Sequence, residues 1–280
     1  MLEQAYQGYR YQLPELPHAY GEQVHLLADP VLLSQLARLC RPEVVQPEIT
    51  VLVRDIYHCL VRMVVANELP RQRAQVKTRM FESSPRAVWC GDVLDEQVRA
   101  VTVNIARAGS LPSQVCFETL VHLLRPDQVR QDHVYMARVT DEHGVVTGVS
   151  LSGSKIGGDV ADAFVLLPDP MGATGGSLAH TIALYKAGAA SAAGGGSKPA
   201  APRRIISLHL IITPEFVRRM RAEHPDVVIY AVRLDRGMSS DAILHTPLGA
   251  QLADERGLNE IQYIVPGAGG LGEILNNSFV

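Results

Sequence analysis

The stretch Ala163-Phe-Val-Leu-Leu-Pro-Asp169-Pro-Met-Gly-Ala-Thr-Gly-Gly-Ser177 sets a carboxylate at the end of an apolar run and follows it with small residues. In chemical terms this is an anion cradle. Residues Ala173 to Ser177 are small enough for backbone N–H groups to close around a phosphate, and a helix opening at Ser177 would turn its positive end toward that anion. Asp169 is suited to accept hydrogen bonds from sugar hydroxyls, while Thr174 and the N–H groups of Gly175, Gly176 and Ser177 are suited to the phosphate. The plainer alternative is a glycine-rich turn capped by Ser177, but an acid at a strand end plus Thr-Gly-Gly-Ser at a helix start exceeds what a turn requires. No Walker-type Gly-Lys-Ser or Gly-Lys-Thr occurs there.

Arg107 and Arg138 each fall at the end of a strand-like segment, which would bring both to the edge where the cradle lies. Two guanidinium forks there would suit a pyrophosphate; taken singly, each is more often a surface salt-bridge partner, and it is the shared position at strand ends that raises a functional role to an even alternative. Lys155, in the Ser152-Gly-Ser-Lys155 turn, reads on its own chemistry as a solvated loop lysine. In the tail, Gly267-Ala-Gly269-Gly-Leu-Gly272 matches G-x-G-x-x-G after the apolar Tyr263-Ile-Val265, yet too little chain follows for the βαβ unit of a dinucleotide fold. The better reading is a close-approach loop that offers backbone N–H and C=O groups to a flat polar ligand. The ten histidines include no HExxH or zinc-spaced pair, and no G-x-S-x-G elbow appears, which disfavours zinc and hydrolase chemistry.

The elements that must carry these residues alternate. Asp29-Pro30 opens a helix through Leu36 that Pro42 ends, and Ile49, Leu52, Val53, Ile56, Tyr57, Leu60 and Val64 mark a longer amphipathic helix stopped by Pro70. Strand-like runs begin near Arg99, His133, Ala163, Ile205 and Val227, separated by helices starting at Pro112-Ser113, at Ser177 and at Thr213-Pro214-Glu215, with a hairpin at Asp141-Glu-His-Gly144. This order predicts an α/β fold, a mainly parallel sheet with helices on both faces. Residues 1–24 form an N-terminal arm of unreadable function, and 25–280 form one domain. The Gly/Ala/Ser-rich run at about 187–202 is expected to be a flexible loop, and about 238–257 an insertion forming a small lid or subunit contact.

Composition narrows the functional class. Apolar residues at 47% supply an ample core, aromatics at 5% make a base-stacking platform improbable, and a net charge of −3 argues against nucleic-acid or anionic membrane partners. The four cysteines are scattered without metal spacing and are expected to be reduced and buried. Neither a signal peptide nor a long apolar span is visible, so the expected compartment is cytoplasmic.

Together these pieces resemble the uracil phosphoribosyltransferase family, of the type I phosphoribosyltransferase fold. The resemblance runs from about residue 25 to near the C-terminus and rests on blocks in the family order. They are Ile105-Ala-Arg-Ala-Gly109, Tyr135-Met-Ala-Arg138, Asp169 to Ser177, His224-Pro-Asp-Val-Val-Ile-Tyr230, and Leu258-Asn-Glu260 with Tyr263-Ile-Val-Pro-Gly267. The family adds a small hood and β-hairpin to the sheet. The resemblance implies transfer of the phosphoribosyl group of 5-phosphoribosyl 1-pyrophosphate (PRPP) to uracil, giving UMP and pyrophosphate in pyrimidine salvage. Arg107, Arg138 and Asp169 would be catalytic; the same three with Met171, Ala173, Thr174, Gly175, Gly176 and Ser177 would bind PRPP. Main-chain groups of Ile264 and Gly269 would read uracil, with Tyr263 and Leu271 shaping its pocket and Lys155 on a mobile hood. Mg²⁺ would enter bound through PRPP, with no metal site on the protein itself, and a homodimer or higher homo-oligomer is implied.

The chain also departs from the pattern. Where the family has Gly-Asp-x-Gly-Asp, this sequence has Gly269-Gly-Leu-Gly-Glu273, so Gly270 stands in the place of an acid implied beside the ribose and pyrophosphate. Glu273 keeps a carboxylate at the second place. The departure raises an alternative, a catalytically weakened or inactive homologue that binds UMP or PRPP as a sensor or partner subunit. A related transferase acting on another base is the third expectation.

Overall fold

A computed structural model describes residues 4–140, 146–188 and 201–278, with side chains outside 137–151. The first strand, β1 (Val24–Leu26), joins the sheet edge by pairing parallel to a strand near the end of the chain, Val24 opposite Ile229. Asp29 then accepts the N–H groups of Val31 and Leu32 at 2.8 and 3.0 Å, and Pro30 occupies the first turn, so α1 (Pro30–Leu39) begins where its cap chemistry places it. Helix α2 (Glu48–Glu68) buries the stripe from Ile49 through Val64. At about 1.5–3 kcal/mol per large apolar side chain withdrawn from water, that stripe is what fastens the helix to the sheet.

A two-stranded antiparallel hairpin follows, β2 (Arg71–Lys77) with β3 (Val88–Leu94). This hairpin has no signature in the sequence, because β2 carries Arg71, Arg73 and Lys77 on mostly exposed positions and leaves no period-two apolar signal. The alternating core is then laid down as β4 (Ala100–Ala106), α3 (Ser110–Leu123), β5 (Val129–Thr140), β6 (Val146–Lys155), β7 (Phe164–Pro168), β8 (Met171–Gly172) and α4 (Gly176–Lys186). It continues through β9 (Arg204–Ile212), α5 (Pro214–Glu223), β10 (Val228–Leu234) and two short helices, α6 (Asp241–Leu244) and α7 (Leu271–Ile274).

Among the described residues, eight strands form one sheet in the order β1-β10-β9-β7-β4-β5-β6, with β8 beside β9. All neighbours are parallel except β6, which returns antiparallel along β5. One face is packed by α1, α2 and α3 through Leu36, Ile56, Leu60, Val115 and Leu120; the other by α4 and α5 through Leu178, Ile182, Phe216 and Met220. The chain leaves β4 toward β5 on one side and leaves β7 toward β9 on the other. Loops at the carboxyl ends of β4 and β7 therefore diverge and open a crevice, the usual ligand position in a doubly covered sheet.

Several expectations are corrected in detail. Ser152 to Lys155 is not a turn: it is the end of β6, with Lys155 opposite His133 and Ser154 opposite Val134. Helix α3 starts at Ser110 with Gly109 as its cap, and α4 starts at Gly176 because Gly175, at φ +75°, is its cap. The expected hairpin tip at 141–144 and most of the 187–202 run lie outside the described residues. Cys90 and Cys116 are buried as expected, but Cys40 is half-buried and Cys59 is exposed on α2; all four thiols are free. No helix among the described residues is long and apolar enough to cross a membrane.

Candidate active site at the carboxyl ends of β4 and β7

Three loops meet at the crevice. The first follows β4, where the Ala106–Arg107 peptide is cis and Gly109 packs so closely that a Cβ there would lie 3.1 Å from the Pro168 carbonyl at the end of β7. The second is the Asp169–Ser177 loop. The third is the tail from Tyr263 to Ser278, whose Gly272 lies against Ala108; a Cβ there would come within 3.1 Å of the Ala108 Cβ. Arg107 is exposed and its Nη1 donates to Ser278 Oγ at 2.6 Å and to the Ser278 carbonyl at 3.4 Å.

The Asp169–Ser177 loop has the form of an anion cradle. Met171 N–H donates to Asp169 Oδ1 at 3.3 Å and Ala173 N–H to the Met171 carbonyl at 2.9 Å, which folds the loop back toward the sheet. The N–H groups of Thr174, Gly175 and Ser177 have no protein partner among the described residues, and they sit at the start of α4. An anion there would meet both the unpaired N–H groups and the positive end of the helix. Burial pushes the Asp169 carboxyl up to about 6.

The underside of the cradle is built by residues with no obvious chemistry in the sequence. Thr213 caps α5 by accepting Phe216 N–H at 3.0 Å and donates its own hydroxyl to the Ala173 carbonyl at 2.7 Å. His209, fully buried on β9, donates from Nδ1 to the Asp169 carbonyl at 2.6 Å, and burial pushes its imidazole down to about 3, so it is neutral. The signal for it was present: one histidine inside the otherwise apolar run Ile205-Ile-Ser-Leu-His-Leu-Ile-Ile212.

The tail is pinned to the end of β10. Gly267 N–H donates to Asp235 Oδ2 at 2.8 Å, Val265 N–H to the Gly257 carbonyl at 2.8 Å, and Gly237 N–H to the Val265 carbonyl at 2.9 Å. Ile264 and Leu271 are buried, whereas Tyr263 and Gly269 face outward. Glu273 is half-buried and without a hydrogen-bond or ion-pair partner on its carboxylate among the described residues. That carboxylate fills the space beside Gly270: a Cβ at residue 270 would stand 2.7 Å from Glu273 Oε2 and 3.5 Å from the Tyr263 hydroxyl. Positions 270 and 273, separate in the sequence pattern, thus adjoin in the fold.

The structure thus places Arg107 and the Asp169–Ser177 loop at the carboxyl ends of the neighbouring strands β4 and β7, and Gly272 of the tail lies against Ala108 in the loop that follows β4. The backbone of Arg138 belongs to β5 near its carboxyl end, opposite Val149 of β6, and its side chain lies outside the described residues. Lys155 is exposed on β6, level with Asn104 of β4 through His133, hence two residues short of that strand's end. Among the described residues no group of three or more His, Cys, Asp or Glu side chains is arranged to hold a metal.

Comparison with known proteins agrees with this arrangement. A family model described as uracil phosphoribosyltransferase matches residues 26–251. A uracil phosphoribosyltransferase of Chlamydia muridarum (strain MoPn / Nigg) is 34% identical over 121 residues, which is 43% of this chain and 29% of that protein, so the match spans under a third of the relative's length. Among solved structures, the AQ2163 protein from Aquifex aeolicus superposes with a TM-score of 0.65 at 19% identity, covering 90% of this chain and 97% of the other, a likeness of fold. With the family model spanning most of the chain, the chain belongs to the uracil phosphoribosyltransferase family.

Proposed function

We propose that the chain transfers the phosphoribosyl group of PRPP to uracil, forming UMP and releasing pyrophosphate. The observation that carries this reading is the Asp169–Ser177 cradle, with its unpaired N–H groups at the start of α4, facing the Arg107 loop across the β4/β7 crevice. In this reading the 5′-phosphate lies on the N–H groups of Thr174 to Ser177 and the ribose hydroxyls on the Asp169 carboxylate. The base lies against the tail, read by main-chain groups of Ile264 and Gly269 and flanked by Tyr263.

In the transfer, uracil N1 bonds to ribose C1′ as the C1′–O bond to pyrophosphate breaks, and the N1 proton leaves to the pyrophosphate or to water. The transition state spreads positive charge over the ribose, so the protein's contribution is positioning and charge neutralisation rather than a strong base. Arg107, joined by Arg138, neutralises the departing pyrophosphate, for which a guanidinium fork is well matched. Mg²⁺ brought in with PRPP would add further neutralisation, and Asp169 and Glu273 are the carboxylates that would face it in this reading. Asp169 serves best when ionised, above pH about 6.

The test is a panel of bases. The purified protein with PRPP and Mg²⁺ is expected to consume uracil and to leave cytosine, adenine and hypoxanthine largely unused. Turnover confined to another base would move the reading to a different transferase, and PRPP failing to bind by calorimetry would remove it altogether.

A further inference from the structure

We infer that His209 is a positioning residue for the phosphoribosyl site, holding the Asp169 main chain in the place of a missing ladder hydrogen bond. The inference rests on the reading of the Asp169–Ser177 loop as the PRPP cradle. Strand β7 pairs in parallel with β9 as far as Pro168 opposite Leu208, where Asp169 N–H donates to the Leu208 carbonyl at 3.0 Å. A regular parallel ladder would next send Leu210 N–H to the Asp169 carbonyl. Instead, Leu210 N–H and Ile211 N–H both converge on the Pro170 carbonyl, at 3.0 and 3.1 Å, before pairing resumes at Met171 opposite Ile211.

The Asp169 carbonyl is thereby skipped. It lies just past the carboxyl end of β7, a strand flanked on both sides in the sheet, and against the fully buried His209, where a carbonyl left unpaired carries a real penalty. His209 Nδ1–H, 2.6 Å away, is its hydrogen-bond donor among the described residues. The side chain fits this single task. It is fully buried, it is neutral, so one ring nitrogen carries a proton for the carbonyl, and Nε2 has no protein partner.

The same imidazole stands edge-on to Phe216, with ring centroids 4.7 Å apart. Phe216 in turn carries the cradle: a Cβ on Gly172 would lie 3.1 Å from its ring and one on Gly175 3.0 Å from it. His209 therefore fixes the carboxylate end of the loop through a hydrogen bond and shares with the phosphate end a common aromatic support. Asp169 and the N–H groups of Thr174 to Ser177 are held at one spacing, which is what a ligand with a ribose hydroxyl and a 5′-phosphate requires.

Paired substitutions separate positioning from bulk. His209→Asn keeps a donor at the position of Nδ1, two bonds from Cβ; His209→Leu keeps branched volume without a donor; both lose the ring against Phe216. The expected result is that His209→Leu raises the KM for PRPP about tenfold to a hundredfold, the range for displaced positioning groups. The KM for uracil stays near the wild-type value in that variant, and His209→Asn recovers the PRPP KM to within about threefold. Hydrogen exchange of amides 169–177, measured at equal distance below each variant's Tm, is expected to be faster in the Leu variant and near wild type in the Asn variant. Equal KM values and equal exchange in the two variants would overturn the inference. If the wild type makes no UMP while exchange still separates Leu from Asn, the positioning role stands and the substrate reading fails. Should His209→Leu not fold, His209→Gln, whose amide reaches the Nε2 position instead, replaces it with the same expected loss.

Discussion

Gly270 shows how a residue's role depends on its neighbours. In sequence it is an acid missing from a pattern; in the fold its side-chain space already holds the Glu273 carboxylate, with Oε2 2.7 Å from where a Cβ would stand. Adding an acid by Gly270→Asp should therefore oppose two carboxylates rather than repair a site. At about 1–4 kcal/mol for like charges some 4 Å apart in a wet or partly buried setting, kcat/KM should fall roughly fivefold to several hundredfold. Combining it with Glu273→Gln should recover much of that loss, as steady-state UMP formation would record. A gain from Gly270→Asp alone would mean that the two side chains can share the space. Asp169 gives a second test. Burial pushes its carboxyl up to about 6, and the ionised form is the stronger acceptor for ribose hydroxyls, so kcat/KM for PRPP should decline as pH falls through about 6. Stability runs the other way. An acid whose folded pKa exceeds its unfolded value, about 3.9, contributes stability that is present below about pH 4 and lost as pH rises to about 6. Asp169→Asn should therefore raise Tm at pH 7 while abolishing the acid limb of activity, and a fall in Tm at that pH would count against this assignment. The strand end before Asp169, the small-residue loop and the helix start were legible because they are local in sequence. Glu273 filling the space of Gly270 was not, since it depends on one turn of α7.

At the level of elements, the alternation of strands and helices was readable because each core strand is an uninterrupted apolar run, as in Phe164–Pro168, buried throughout. The β2–β3 hairpin was not, since its charged strand gives no alternation, and the crossing of the tail over the β4 loop depends on contacts between residues more than 150 positions apart. That crossing has a functional consequence. Arg107, assigned to the pyrophosphate, donates from Nη1 to Ser278 Oγ at 2.6 Å, so a ligand that takes this donor displaces the contact. Ser278→Ala should lower the KM for PRPP about fivefold, corresponding to one hydrogen bond of about 1 kcal/mol. An unchanged or higher KM would show that the tail supports the arginine instead of competing for it.

For the molecule as a whole, the chain around Tyr20 and the segment 238–257 pack together beside the edge strand β1, a pairing that no local pattern could show. Tyr20 is buried and donates to Glu255 Oε2 at 2.6 Å; Arg236 donates to Glu255 Oε1 at 2.7 Å; Gly249 N–H donates to the same oxygen at 3.0 Å. With Glu255 fully buried, Glu255→Ala would leave Arg236 uncompensated and should cost about 3–5 kcal/mol, read as a clear fall in Tm. Tyr20→Phe, which removes one hydrogen bond, should cost about 1 kcal/mol. If both variants melted like the wild type, the arm would not be part of the cooperative unit. These contacts support the site only indirectly, by holding the end of β10 to which the tail is pinned. The central claim concerns the crevice itself, and labelled uracil incubated with the wild-type protein, PRPP and Mg²⁺ at pH 7–8 addresses it most directly. Catalytic formation of UMP and pyrophosphate in equal amounts is the result expected, and no UMP at high protein concentration, with PRPP left intact, would contradict it.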